Sequence, residues 1–364
     1  MKASFRSIRD LDWGLLIVAL AICALGVLQI YSASLDTAWR NAWIKQLLFL
    51  GLGLFVMWLM TRVDYHTLLG QVPILYGASL ALLIITPLVG TLVWGSKRWI
   101  PLAWGFRFQP SEFVKLVIVL LVARYLTELK SDRLEIRDLL KLGALVGIPM
   151  ALVAAQPDLG TALTYVPILV IGLFLGGMRW QHAAAIAALA AVLMPVGWFV
   201  LKDYQKARLE IFLDPMKDPM GKGYQVIQSK IAVGAGGMWG RGVTQGSQTQ
   251  LRFLPVAHTD FLISAFAEEH GFVGILVVLA LFFLLMMQIV QNAQTAPDKA
   301  GMFICMGVCS LLLFHVLVNA GMAVGRMPVA GIPLPLMSYG GSSMVSVFMM
   351  LGLVNNVRLR RFVS

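Results

Sequence analysis

Ten apolar runs, each about as long as a bilayer is thick, constrain this chain more than any other feature. A hydrocarbon core of about 30 Å takes about 20 helical residues. Runs of that order begin near positions 13, 43, 68, 111, 139, 161, 181, 260, 300 and 342. In lipid, backbone polar groups can be satisfied only by helices or a closed barrel, and the alternating pattern of a barrel is absent. Composition agrees: 59% of the 364 residues are hydrophobic and 13% are charged, against roughly 25% charged in soluble domains. The expected fold is an all-α polytopic membrane protein of about ten transmembrane helices, a single integral membrane domain over residues 1–364. One large polar loop, residues 202–259, separates the seventh and eighth spans.

Charge sets the orientation. With the N-terminus in the cytoplasm, inside loops hold 14 Lys and Arg residues, among them Lys130 and Arg133, against 6 in the short outside loops. Positive charge stays inside, so both termini are expected in the cytoplasm and the 202–259 loop outside. The basic segment 1–10 reads as the lead into an uncleaved first helix, because many further spans follow. The net charge of +11 suits a membrane surface or an anionic substrate. Nucleic acid fits less well, because the charge is spread over many loops. Cys23, Cys305 and Cys309 lie in apolar runs and read as packing residues. Gly172 and Gly176 form a small-xxx-small pair suited to close helix packing.

The outside connections carry the chemistry. Residues 250–271 read QLRFLPVAHTDFLISAFAEEHG, placing His258, Thr259 and Asp260 at the mouth of the eighth span. A carboxylate at a membrane boundary is costly, and so a functional candidate; the plainer reading of Asp260 or Thr259 is a helix cap. If the helix begins at Asp260, Glu269 faces the opposite side and Glu268 lies about 12 Å further along. His258 is expected to shape the site rather than act as the base. Residues 95–115 hold Arg98 and Arg107 among Trp99, Trp104, Phe106 and Phe108, with Glu112 and Lys115 three apart on one helix face. That pair reads either as a self-neutralising ion pair or as site residues. Asp158, between two spans, either caps a helix or lines an outside cavity. In the long loop, residues 225–233 are amphipathic enough for a surface helix. Residues 234–242 are glycine-rich without the Gly-Lys-Ser/Thr ending of a P-loop. Arg208, Lys230, Arg241 and Arg252 there could hold phosphates or face solvent. Residues 331–343, GIPLPLMSYGGSS, break the apolar pattern before the last span; irregular backbone at that depth must be buried or line a cavity.

Six blocks in order resemble the SEDS family of polytopic cell-wall glycosyltransferases: RFQPSEFVK (107–115), AAQPDLGT (154–161), GYQVIQSKIAVGAGG (223–237), TQLRFLPVAHTDF (249–261), AEEHG (267–271) and PLPLMSYGGSS (333–343). GSQTQLRFLP favours the elongation branch over the division branch. Val256 departs from the pattern, in which an acidic or polar residue often stands. The resemblance implies polymerisation of lipid II, the undecaprenyl-pyrophosphate disaccharide-peptide, and a class B penicillin-binding protein as partner, in the bacterial cytoplasmic membrane among membrane lipid. It implies inversion at the sugar, for which one general base suffices when diphosphate is the leaving group. Asp260 is expected to be that base. Arg98, Arg107, Glu112, Lys115, Asp158, Lys230, Arg241 and Thr259 are expected around the substrate, with Arg107, Lys115 and Lys230 first in line for its phosphates. The resemblance also suggests a divalent cation, Mg or Mn, though no ligand cluster in the sequence shows one. Two other functions compete: a flippase for the lipid-linked precursor, and a non-catalytic scaffold for the crosslinking partner. No internal repeat supports the transporter reading.

Overall fold

The structure is a computed structural model that describes residues 11–35, 37–93, 96–102, 106–129, 134–200, 203–221 and 223–361. Of the positions weighed above, residues 1–10, Trp104, Lys130, Arg133 and Lys202 lie outside the described residues.

Every expected span falls on helix. In chain order the elements are α1 (Trp13–Ser34), α2 (Ala42–Arg62), the short α3 (Tyr65–Gly70) and α4 (Val72–Val89), then β1 (Thr91–Val93), β2 (Ser96–Pro101) and β3 (Arg107–Phe108). There follow α5 (Pro110–Glu128), α6 (Ile136–Ala155), α7 (Leu159–Leu163), α8 (Tyr165–Leu175) and α9 (Trp180–Val200). The large loop contributes α10 (Asp203–Leu213), α11 (Tyr224–Ala235) and α12 (Ser247–Gln250), before α13 (Leu262–Gln294), α14 (Lys299–Ala323) and α15 (Gly341–Arg360). Among the described residues, α1, α2, α4, α6, α13, α14 and α15 are each long and apolar enough to cross a membrane. The fourth expected span, α5, carries Glu112, Lys115, Arg124 and Glu128 within its length. The sixth is divided at Thr164 into α7 and α8.

The core gathers around α14, which packs against α13, α5, α8 and α15. It is apolar around most of its circumference, as a helix enclosed by others should be, and its buried residues run from Ala300 to Ala323. Small residues allow the closest approaches. A Cβ at Gly172 would stand 2.4 Å from Val122 Cγ1, and one at Gly53 would stand 2.7 Å from the Phe348 ring. The cysteines are free and buried, as packing residues.

Three features depart from the sequence expectation. First, the 91–108 connection folds into a small antiparallel sheet, β1–β2–β3, with Thr91 opposite Trp99 and Ile100 opposite Phe108. It fixes Arg98 on a strand rather than on a loose loop. Second, the amphipathic segment at 225–233 forms α11 but does not simply lie on the surface. Val226, Ser229 and Ala232 are buried, and Ser229 Oγ donates to Ala323 O at 2.7 Å.

Third, α13 starts at Leu262 rather than Asp260 and breaks at Gly271, whose φ of 65° and ψ of −167° are not helical. The glycine-rich turn inserts its backbone there. Phe272 N donates to Gly237 O and Val273 N to Met238 O, while Arg241 N and Gly242 N donate to Glu268 O and Glu269 O. Groups freed by the break are thus re-satisfied. Only glycine fits: a Cβ on Gly236 would stand 1.9 Å from Ala267 O, and one on Gly240 would stand 2.1 Å from Glu269 O. Residues 272–294 alone reach about 34 Å at 1.5 Å per residue, enough to cross the hydrocarbon core. Glu268 and Glu269 therefore lie in the short piece before the break, not further into the span.

Candidate active site

Asp260 sits in the turn that leads into α13. The helix is capped at Phe261 without any side-chain bond, so the capping reading of Asp260 is not realised. Among the described residues its carboxylate accepts no hydrogen bond, though the group is half-buried. Burial raises its pKa above the ordinary carboxylate value; the positive charges of Arg98 and Arg208 pull it back, and Asp158 pushes it up. Gly331 (φ +69°) faces it, and a Cβ there would stand 3.7 Å from Asp260 Oδ2.

The backbone around Asp260 is held closely. Tyr339 N donates to His258 O at 3.0 Å. Ser338 Oγ donates to Thr259 O at 2.7 Å, and Asn319 Nδ2 to Asp260 O at 3.0 Å. The Thr259 hydroxyl turns back onto Val256 O and caps nothing in α13. Val256 has φ 50°, an uncommon conformation for a β-branched residue. His258 lies between Trp39 and Tyr339, with ring centroids 5.1 and 5.9 Å away. Burial lowers its pKa to about 4, which favours the neutral ring near neutral pH.

Arg98 and Asp158 meet across the fold. Arg98 NH1 is 3.1 Å from Asp158 Oδ1, its guanidinium lies over Trp99, and its Nε is buried without a partner. Asp158 also accepts from Gln109 Nε2 at 3.0 Å and caps α7 through Thr161 N at 3.3 Å. Asp158 therefore caps α7, one of its two expected readings, and also pairs with Arg98. Ser342 Oγ bonds Gln109 N and Arg107 O, tying β3 to the start of α15.

The other expected residues are dispersed. Arg107 is exposed and close enough to Tyr339 to lower the pKa of that phenol, which burial otherwise raises. Lys115 and Glu112 are almost fully buried in α5, 2.6 Å apart. Lys115 Nζ also lies 3.4 Å from His315 Nε2, and Ser346 Oγ donates to Glu112 Oε2. The self-neutralising pair is realised. Lys230 is exposed with its stem against Gly325. Arg241 is exposed and donates to Ala235 O as part of the glycine turn. The cations that act on Asp260 are instead Arg98 and Arg208, the latter one of four arginines and lysines singled out in the long loop. Asn319 carries no local signal in the sequence, being a single Asn in an apolar run, and Ser338 is marked only as part of the 331–343 break. Among the described residues, no three His, Cys, Asp or Glu side chains are grouped to hold a metal. Asp158, the acid whose charge raises the pKa of Asp260, is committed to Arg98 and Gln109.

Comparison with known proteins adds the following. A family model described as cell cycle protein, FtsW/RodA/SpoVE, matches residues 12–361. The peptidoglycan glycosyltransferase MrdB of Escherichia coli (strain K12) is 38% identical over 99% of this chain and 96% of that protein. The peptidoglycan glycosyltransferase RodA of Treponema pallidum (strain Nichols) is 32% identical over 98% of this chain and 99% of that one. Among solved structures, a chain from a study of how a peptidoglycan synthase complex coordinates polymerization and crosslinking superposes with a TM-score of 0.84. It is 36% identical and covers 97% of this chain and 99% of its own. The rod shape determining protein RodA of Thermus thermophilus superposes with a TM-score of 0.72 at 30% identity, over 97% and 98% of the two chains.

Proposed function

This chain belongs to the FtsW/RodA/SpoVE family; it is a multi-pass membrane peptidoglycan glycosyltransferase of cell elongation, and we propose that it works by one inverting displacement with Asp260 as general base. The substrate in this reading is lipid II, presented from the outer leaflet of the bacterial cytoplasmic membrane. Both termini are cytoplasmic and the whole chain acts as one membrane domain. The observation that carries the reading is the state of Asp260: half-buried, without a hydrogen-bond donor to its carboxylate among the described residues, and within the electrostatic reach of Arg98 and Arg208.

The chemistry follows. The acceptor sugar's 4-hydroxyl oxygen attacks the donor's anomeric carbon while Asp260 takes the hydroxyl proton. The bond from that carbon to the diphosphate oxygen breaks, and its electron pair leaves with the diphosphate. Diphosphate is a good leaving group, so cations can do what a second carboxylic acid does in glycosidases. Arg98 would serve here: Asp158 holds its fork, and among the described residues its Nε has no partner; Arg208 would supply a second charge. A divalent cation would add Lewis-acid stabilisation of the departing diphosphate, and no step here depends on one. A class B penicillin-binding protein, crosslinking the strands, is the expected partner; the similar synthase complex supports this.

The test uses purified protein with its partner and lipid II. Wild type is expected to yield glycan polymer. Asp260→Asn is expected to lose roughly a thousandfold or more in rate while still binding the partner. Near-normal polymer from folded Asp260→Asn would remove the base assignment.

A further inference from the structure

Three consecutive carbonyls precede α13, and each is held by a different donor. His258 O takes Tyr339 N, Thr259 O takes Ser338 Oγ, and Asp260 O takes Asn319 Nδ2. The first two donors belong to the 331–340 loop. Asn319 differs: it stands on α14, the helix at the centre of the core, and its side chain is completely buried. Its carboxamide has two N–H groups. One goes to Asp260 O at 3.0 Å and the other to Ile332 O at 2.8 Å. Its Oδ1 is buried and has no partner. A buried acceptor left unpaired is costly, so the side chain is better explained by its two donors than by polarity in general.

Those donors reach the two loops that meet at the carboxylate. Ile332 follows Gly331, the residue facing Asp260 Oδ2. One amide therefore sets both the backbone of Asp260 and the surface opposite its side chain.

We infer that Asn319 is a positioning residue for Asp260: from the fixed frame of α14 it pins the 255–261 turn and the 331–340 loop so that the carboxylate stays unpartnered and turned toward the sugar hydroxyl. It touches no substrate. The inference rests on Asp260 being the base, and it predicts a kinetic signature distinct from loss of folding. Displacing a catalytic group by about 1 Å can cost on the order of a hundredfold in rate. A freed carboxylate would also collect water and hydrogen bonds, which favour its charged form and lower its pKa.

The experiment compares wild type, Asn319→Leu, Asp260→Asn and the double variant, each purified with the partner and assayed on lipid II across concentration and pH. Asn319→Leu keeps the branched shape, adds some bulk, and removes both donors. It is expected to lower kcat by roughly ten- to a hundredfold, leave KM within about twofold, and move the acid limb of the profile to lower pH. In the Asp260→Asn background it should change the residual rate little, because its effect runs through Asp260. Asn319→Ser, which keeps one hydroxyl donor, should give an intermediate kcat and supplies a folded sample if the leucine variant does not accumulate. Wild-type kcat and an unmoved acid limb in folded Asn319→Leu or Asn319→Ser overturn the inference, as does a loss of melting temperature alone. Inactive Asp260→Asn beside a normal Asn319→Leu would defeat this inference and leave the base standing. Active Asp260→Asn would defeat both.

Discussion

Asp260 and the pair Glu268–Glu269 stand within ten residues of one another and are treated in opposite ways. Glu268 is fully buried and saturated: Gln248 N, Thr249 N, Thr249 Oγ1 and Ser247 Oγ all donate to it, closing the N-terminus of α12. Glu269 receives Ser32 Oγ at 2.5 Å, Gln29 Nε2 and Gln250 Nε2, fastening the same stretch to α1. Among the described residues Asp260 receives nothing on its carboxylate, while Tyr339 N, Ser338 Oγ and Asn319 Nδ2 donate to its backbone and its neighbours'. The contrast separates two uses of an acid. A carboxylate with a full set of donors holds structure, because the donors favour its charged form, even where burial still raises the pKa, as at Glu269. One whose backbone is held while its oxygens are left free keeps its basicity for a proton that arrives with substrate.

Breaking the Asp260 side has the larger effect on activity. Arg98→Ala removes a positive charge that favours the ionised form of Asp260 and leaves Asp158 without its ion pair. A loss of roughly a hundredfold in rate is expected, typical of one preorganised charge, with the acid limb of the pH profile moved to higher pH. Steady-state kinetics from about pH 5 to pH 9 check it; an unmoved limb would separate Arg98 from Asp260. Breaking the other side should act on stability. Glu268→Gln sets an amide N–H₂ among donors and is expected to cost on the order of 2–3 kcal/mol, read as a lower unfolding temperature in detergent. Activity per folded molecule should change little. Asp260→Asn should show the reverse pattern. A carboxylate with a raised native pKa contributes stability below its unfolded pKa and loses it as pH rises through the native value. The amide is therefore expected to be at least as stable as wild type at neutral pH.

The sequence made one level of this legible. Apolar run length located every described helix that is long and apolar enough to span, because the bilayer imposes the same demand on each. It also marked the glycine turn and the 331–343 break as places of irregular backbone. What it missed is non-local. The break at Gly271 was signalled by two glutamates, a histidine and a glycine in a row, yet an unbroken apolar stretch after them hid it. The pairing of Arg98 with Asp158 joins β2 to the start of α7, and spacing along the chain does not reveal it. The spacing of Glu112 and Lys115 allows an ion pair, and only the fold shows that both are enclosed. Asn319 lies in the apolar run VLVNAGMA, and only the fold shows that its amide reaches two loops.

The most direct test of the central claim is the pH dependence of lipid II polymerisation by the wild-type enzyme, measured under single-turnover conditions with its partner. If a desolvated Asp260 is the base, the rate falls on the acid side through one group, with an apparent pKa above the usual value of about 4 for an aspartate. A rate that stays flat down to that ordinary value, or a limb left unchanged in the residual activity of Asp260→Asn, would contradict the account.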